Sequence, residues 1–80
     1  NRKRTQKMTF SVRILLIHLS NHVNTTQEKD ECGIDTIDNH LRWNKGFLNK
    51  VIEKAEKSKY IYVDNGVFKL SERGEKVVAS

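Results

Sequence analysis

Residues 60–70 read Tyr60-Ile61-Tyr62-Val63-Asp64-Asn65-Gly66-Val67-Phe68-Lys69-Leu70. The central pair Asn65-Gly66 is typical of a two-residue type I′ turn, in which both residues need a positive φ. With this turn as the loop, the opposed pairs are Asp64 with Val67, Val63 with Phe68, Tyr62 with Lys69, and Ile61 with Leu70. One face of the hairpin is then apolar throughout and consists of Ile61, Val63, Phe68 and Leu70. Since a two-stranded ribbon is marginal alone, we expect this face to cover helices.

An amphipathic helix is predicted just before the hairpin, over residues 45–58, with Asn44 as its N-cap. Its apolar residues recur at helical spacing and are Phe47, Leu48, Val51, Ile52 and Ala55. The opposite face is polar and carries Lys45, Gly46, Asn49, Lys50, Glu53, Lys54 and Lys57.

The N-terminal half predicts an arm, a helix and a loop. Residues 1–8 contain almost no apolar side chain and are interpreted as a disordered basic arm. Residues 9–21 predict a broad-faced, largely buried helix, with Thr9 or Ser11 available as N-cap. Residues 22–33 are rich in Asn, Thr and acidic residues, which favours a loop on the surface, outside the core.

Two further short helices complete the chain. The first is capped by Asp35, has Ile37 and Leu41 as its apolar stripe, and ends near Arg42. The last begins after Ser71, a good N-cap, and contains Val77 and Val78. The predicted order is helix, helix, helix, hairpin, helix, which makes an α+β fold in one domain over residues 9–80.

Charge is unevenly distributed over a chain of 80 residues with a net charge of +5. Residues 1–7 hold four basic and no acidic side chains, residues 20–35 hold four acidic side chains and one lysine, and residues 45–59 hold five lysines and two glutamates. Two basic segments separated by an acidic one favour a basic face directed at a polyanion. Lysines that merely solubilise a helix are the alternative interpretation.

The compartment is predicted from what the chain contains. The longest apolar run is Ile14 to Ile17, too short for a membrane span, and no signal-peptide pattern follows the basic start. Cys32 is the only cysteine, which fits a reducing compartment. We therefore expect a soluble intracellular protein, cytoplasmic or nucleoid-associated. No glycine-rich phosphate loop or nucleophile motif is present, so no enzymatic activity, cofactor or small-molecule substrate is expected.

The ordered set of elements resembles winged helix-turn-helix regulators of the MarR-like or PadR-like kind. Four segments over residues 34–79 carry the resemblance: Ile34-Asp35-Thr36-Ile37, Asn44 through Ile52, Tyr60-Ile61-Tyr62, and Leu70-Ser71-Glu72-Arg73-Gly74. The resemblance implies a three-helix core with a two-stranded hairpin wing and a short C-terminal helix. It also implies sequence-specific binding to double-stranded DNA, transcription regulation, and a homodimer on a two-fold site.

The chain departs from this family at the wing. Family wings carry Arg or Lys near the tip, whereas this tip is Asp64-Asn65-Gly66, and Lys69 is the one basic residue of the hairpin. Phosphate repels an acidic tip. We therefore expect the third helix and the basic arm to supply most DNA contacts.

Each polar residue of the third helix can be given a role in the major groove. Asn49 and Lys50 are predicted to meet base edges, where Asn pairs with adenine and Lys donates to guanine. Lys45, Lys54 and Lys57 are predicted phosphate contacts, and Gly46 and Glu53 share the same face. The predicted DNA-binding residues are thus Lys45, Gly46, Asn49, Lys50, Glu53, Lys54, Lys57, Lys69 and the arm residues Arg2, Lys3 and Arg4.

Other interpretations remain open at this point. A winged helix could serve as a protein-interaction module in a larger assembly, which suits the acidic wing tip, and RNA is a third candidate partner. His18 and His22 are one helical turn apart and could bind a metal with Cys32 and His40, although no metal site is expected. Trp43 is expected to pack in the core rather than stack on a base.

Overall fold

A computed structural model describes the backbone of residues 2–80 and the side chains of residues 7–80. Within them the chain forms four α-helices, a single 3₁₀ turn and a two-stranded antiparallel hairpin, which confirms the predicted α+β class. The elements in order are α1 (Arg2–His22), α2 (Glu28–Glu31), the 3₁₀ turn (Ile37–Asn39), α3 (Lys45–Lys57), β1 (Ile61–Asp64), β2 (Val67–Leu70) and α4 (Glu72–Ala79). None of the helices in the described part of the chain combines the length and the apolar character that crossing a bilayer requires.

The core lies around α1, which packs against α3, α4 and β2. Leu15 and Leu16 of α1 and Val51 and Ala55 of α3 have no exposed surface. The remaining buried apolar residues are Val12, Leu19, Cys32, Ile37, Leu48, Ile61, Val67 and Phe68. Because burying one large aliphatic side chain stabilises a fold by about 1.5–3 kcal/mol, these contacts hold α3 firmly by its inner face.

The hairpin has the register that its turn predicts. Ile61 pairs with Leu70, Tyr62 with Lys69, Val63 with Phe68, and Asp64 with Val67. Asn65 has φ 52° and Gly66 has φ 75°, as a type I′ turn demands.

Two predicted helix caps are also confirmed. The Asn44 side chain accepts a hydrogen bond from the Phe47 amide at 2.8 Å, and α3 begins at the next residue. The Ser71 hydroxyl accepts a hydrogen bond from the Gly74 amide at 3.1 Å and starts α4. Each satisfies an amide that a helix N-terminus leaves without a partner.

The first helix starts earlier than predicted. Residues 1–8 were expected to form a disordered arm, but α1 begins at Arg2, so neither Thr9 nor Ser11 is its N-cap. The physical reason is that residues 2–8 contain good helix formers such as Arg, Lys, Gln and Met, with no glycine or proline to stop the helix. The side chains of Arg2, Lys3 and Arg4 lie outside the described residues.

The predicted helix from Asp35 to Arg42 is wrong, because only the 3₁₀ turn forms there. Asp35 does not cap it, and Thr36 precedes it without a side-chain cap. The Thr36 hydroxyl instead donates to the Asp30 carbonyl at 2.6 Å, and the Thr36 and Ile37 amides both bond back to the Gly33 carbonyl. These bonds favour a tight turn over a regular helix.

Residues 22–33 also differ from the predicted surface loop. They contain α2, and Cys32 and Gly33 are buried. The Phe68 amide donates to the Cys32 carbonyl at 2.8 Å, and the Ile34 amide donates to the Gly66 carbonyl at 2.9 Å. The segment therefore pairs with the free edge of β2 like a very short third strand, which satisfies backbone groups that an edge strand otherwise exposes.

The pairing of residues 32–34 with the edge of β2 changes which hairpin residues are buried. Val63, predicted on the covered face, is 43% exposed, whereas Val67 on the other face is 7% exposed. Val67 lies opposite Gly33 in the added pairing, so chain outside the hairpin covers it. Ile61 and Phe68 are buried as predicted, and Leu70 is half-buried.

Candidate nucleic-acid interface

The candidate interface is the outer face of α3. All seven polar residues predicted for this face are exposed: Lys45, Gly46, Asn49, Lys50, Glu53, Lys54 and Lys57. The inner face is anchored by Leu48, Val51 and Ala55, none more than 2% exposed. The fold therefore presents the lysine-bearing side of α3 to solvent.

The lysines of α3 are spread across this face. At 3.6 residues per turn, Lys50 and Lys57 lie near its centre, opposite the buried residues, while Lys45 and Lys54 lie on opposite flanks. Lys45 lines a shallow groove shared with the segment before α3, and Lys54 lines a cavity shared with Arg13 of α1. Positive charge thus reaches both long edges of the helix.

Two acidic features lie within or beside the interface. Lys57 Nζ is 3.3 Å from Glu53 Oε1, but both side chains are about two-thirds exposed or more. Exposed pairs of this spacing contribute only about 0.3–0.5 kcal/mol, so Lys57 can exchange Glu53 for a phosphate. Asp35 and Asp38 line the groove beside Lys45 and Asn49, which places negative charge next to the N-terminal half of α3.

Lys69, predicted to contact DNA, forms an ion pair within the protein. Its Nζ donates a hydrogen bond to Glu28 Oε2 at 2.9 Å, and both side chains are largely buried. This hydrogen bond raises the pKa of Lys69, so the side chain keeps its charge within the pair. The pair links α2 to β2, and a DNA contact by Lys69 would require this pair to open.

Lys7 is a basic residue near α3 that the sequence patterns did not single out. Its Nζ lies 5.2 Å from the centre of the Phe47 ring, within reach of a cation–π interaction. The contact joins residues far apart in the chain, so local periodicity carries no signal for it. It brings the charge of Lys7 close to the first turn of α3.

Trp43 packs as expected. Its ring meets Phe47 edge to face, with centroids 5.5 Å apart, and lies against the core. This contact fixes the approach of the chain into α3.

Of the four residues considered from the sequence as metal ligands, the structure brings the three histidines together at one carboxylate but not Cys32. His18 and His22 both approach Glu31, which the sequence had not singled out, and His40 contacts the same carboxylate. Cys32 is buried in the core, and its thiol is not among the ligand atoms that cluster around His18, His22 and Glu31. Burial, reinforced by the charges of Glu28 and Glu31, raises the pKa of the Cys32 thiol to about 11, so it stays protonated near neutral pH.

Comparison of the chain with protein-family models, with curated proteins and with solved structures found no match.

Proposed function

We propose that this chain is a winged helix-turn-helix domain that binds double-stranded DNA in a sequence-specific manner and regulates transcription. In this proposal α3 is the recognition helix and the 3₁₀ turn Ile37–Asn39 is the short helical element that precedes it. The observation that carries the proposal is the division of α3 into two faces. On its apolar face Leu48, Val51 and Ala55 are at most 2% exposed, and Phe47 and Ile52 are partly buried beside them. Its polar face leaves every predicted contact residue of α3 exposed. A rigidly held helix with a free cationic side is the element that a major groove accepts.

The dimensions of α3 suit this role. Its 13 residues make a rod about 20 Å long, and a helix about 10–12 Å across fits a major groove about 12 Å wide. Lysines on both flanks suit the two phosphate backbones that border the groove. Asn49 and Lys50 then face base edges, while Lys45, Lys54 and Lys57 bind phosphates.

The hairpin serves as a support rather than as a DNA contact. Asp64 is exposed at its tip, and Lys69 is held by Glu28. Lys7, over the Phe47 ring, supplies positive charge at the start of α3 instead. Affinity should therefore come from helices, and it should fall steeply with salt.

The test begins with selection of bound duplexes from a random DNA pool by the wild-type chain. Affinities for the selected duplex and for a scrambled duplex of equal length are then measured by fluorescence anisotropy over a range of salt. Lys50→Ala should lose about 1–3 kcal/mol of discrimination between the two duplexes. Lys54→Ala should weaken both duplexes alike and reduce the salt slope by about 1.

Lys29→Ala is the matched control, because it removes the same charge from the acidic α2. It should leave affinity and salt slope at their wild-type values. Equal, small effects from the Lys50 and Lys54 variants, or a loss as large from the control, would contradict the assignment of α3 as recognition helix.

A two-fold homodimer is part of the proposal, because one domain covers few base pairs. Phe10 is 66% exposed and Ile17 is 41% exposed, and their spacing of seven residues places them on one side of α1. Exposed apolar side chains at this spacing suit packing against the same helix of a second copy.

A protein-interaction module is the second candidate function. Val63 and Ile34 are 43% and 46% exposed, and both lie near the acidic hairpin tip. Apolar side chains beside Asp64 suit a protein partner better than a phosphate backbone. The same anisotropy titration separates the two functions, because a protein adaptor should show only weak attraction to DNA that salt screens. Competition by structured RNA tests the third candidate partner.

A further inference from the structure

A cluster of histidines and carboxylates lies on the side of the fold formed by the second half of α1 and by α2. His18 Nε2 is 3.6 Å from Glu31 Oε2, and His22 Nε2 is 3.9 Å from the same oxygen. The two imidazole rings are 4.8 Å apart, centre to centre. One ligand atom from each of the three residues lies within 4.8 Å of the others, so all three point toward a common centre.

These separations suit one small transition-metal ion. With metal–ligand bonds of about 2.0–2.2 Å, two ligand atoms on a tetrahedral ion stand about 3.4 Å apart. The distances from Glu31 to the two histidines, 3.6 and 3.9 Å, exceed this by a few tenths of an ångström. The ligand atoms of the cluster span up to 4.8 Å, so side-chain rotations must draw them closer together around the ion. Two neutral imidazoles and one carboxylate also form a ligand set that Zn²⁺ commonly takes in proteins.

We infer that His18, His22 and Glu31 form a binding site for a divalent transition-metal ion of the Zn²⁺ class. The three protein ligands leave a fourth position for water. The site is separate from the outer face of α3, so the inference does not depend on the proposed DNA binding.

The surrounding residues form the outer shell that such sites need. His40 Nδ1 lies 3.1 Å from Glu31 Oε2, and His40 Nε2 lies 3.0 Å from Asp30 Oδ2. The contact from His40 holds the Glu31 carboxylate in place, and Asp30 in turn orients the His40 ring. Outer-shell partners of this kind orient the ligands and raise metal affinity.

The side chains are accessible enough for an ion to enter and buried enough to retain it. The exposed fractions are 14% for His18, 26% for His22 and 22% for Glu31.

Metal binding also requires that a proton on His18 move. His18 Nε2 lies 2.8 Å from the Glu31 carbonyl oxygen, which can only accept a hydrogen bond, so this nitrogen carries the ring proton. Binding of the ion at Nε2 transfers the ring proton to Nδ1 through solvent and replaces this hydrogen bond with a metal–nitrogen bond.

The structural consequence is a cross-link between distant segments. His18 and His22 belong to α1, Glu31 ends α2, and Glu28 of α2 binds Lys69 on the hairpin. An ion that binds only the folded chain stabilises it in proportion to its affinity and concentration. Metal should therefore raise the Tm.

The test uses the untagged full chain with Co²⁺ as a spectroscopic probe and Zn²⁺ in competition with a chromophoric chelator. We expect the chain to bind one equivalent of Co²⁺ and to show the visible d–d absorption of a four- or five-coordinate ion. Zn²⁺ should displace the bound Co²⁺, and the chain should have a higher Tm with Zn²⁺ than without it. His22→Gln should lower affinity by more than the roughly 10- to 100-fold typical of outer-shell changes, and His40→Gln should fall within that range. Circular dichroism shows that each variant is folded.

Asp35→Asn and Glu31→Gln form a matched pair, because each removes one carboxylate from the same acidic stretch. Only Glu31→Gln should lose affinity, since Asp35 lies outside the three-residue cluster. Absence of Co²⁺ absorption in the wild-type chain overturns the inference. So does binding that His22→Gln and Glu31→Gln leave unchanged, which would assign the ion to another surface.

Discussion

Lys69 Nζ and Glu28 Oε2 are 2.9 Å apart and join the hairpin to α2 across 41 residues of sequence. The pair uses the one basic side chain of the hairpin for an internal contact. It also links α2 to β2, close to the buried Cys32, whose carbonyl accepts a hydrogen bond from the Phe68 amide. Lys69, which the sequence predicts to contact DNA, thus also links two elements of the fold.

Replacing Lys69 by Ala should change stability and leave DNA binding nearly intact. The variant leaves Glu28 partly buried without its cation, so we expect a lower Tm. Affinity for the selected duplex should change by less than about twofold, because no phosphate contact is lost. Thermal unfolding and anisotropy on the same sample measure both quantities. A loss of affinity like that of Lys54→Ala would show that Lys69 leaves Glu28 for DNA.

Two glycines in helices should respond in opposite ways to substitution by Ala. A Cβ at Gly74 would collide with the carbonyl oxygen of Tyr60 and lie 3.2 Å from Leu70 Cδ2, so α4 must move away from Tyr60, the residue before β1. We expect Gly74→Ala to lower the free energy of unfolding by about 1–3 kcal/mol. A Cβ at Gly46 would meet only Asn44 Oδ1, at 3.5 Å, and Gly46→Ala should raise that free energy by up to about 0.5–1 kcal/mol.

Urea denaturation of both variants at one temperature provides the comparison. The DNA affinity of Gly46→Ala adds a second measurement. A loss of affinity in this more stable variant would show that DNA approaches the backbone at Gly46. A Gly74→Ala variant as stable as the wild type would contradict the close packing of α4 on the Tyr60 backbone.

Stability should fall at alkaline pH because of Cys32. Burial raises the pKa of this thiol from 9.0 to about 11 in the folded chain, so the unfolded chain loses the proton first. Folding is unaffected by this group below pH 9, and stability is lost as the pH rises from about 9 toward about 11. Tm measured from pH 8 to 11 should therefore fall more steeply for the wild type than for Cys32→Ala. The lysines and tyrosines that also titrate in this pH range are present in both proteins. If Tm falls in parallel with pH for the wild type and for Cys32→Ala, Cys32 makes no contribution to the loss of stability.

Phe10 should control self-association. If two copies pack through α1, Phe10→Asp places a charge in an apolar contact and should convert dimer to monomer. Light scattering coupled to size-exclusion chromatography measures the change in mass. Val63→Asp is the control, because Val63 is also exposed but lies on the hairpin. A wild-type chain that is monomeric at every concentration would contradict the proposed dimer.

Local patterns predicted the elements that local physics specifies. The Asn65-Gly66 turn set the hairpin register, and Asn44 and Ser71 capped the helices that follow them. The prediction failed where partners from elsewhere in the chain compete. Contacts from Thr36 to Asp30 and Gly33 turned a predicted helix into a 3₁₀ turn, and pairing of Gly33 with Val67 reversed the burial of the hairpin tip.

The residues of the candidate interface also divide into those that local sequence predicts and those that depend on distant contacts. Helical spacing alone identified the exposed side of α3, because residues with period 3.6 share a face whatever the helix packs against. It could not identify Lys7 beside Phe47 or the capture of Lys69 by Glu28, since both contacts join segments that are distant in the sequence.

The amino-acid sequence by itself determined where α3 and the hairpin form and which side of α3 is polar, because turn chemistry, capping and periodicity act over a few residues. Only the tertiary structure decided which charges remain free and which histidines meet. His18 finds Glu31 at 13 residues' separation and Lys69 finds Glu28 at 41, and such partners depend on the path of the folded chain.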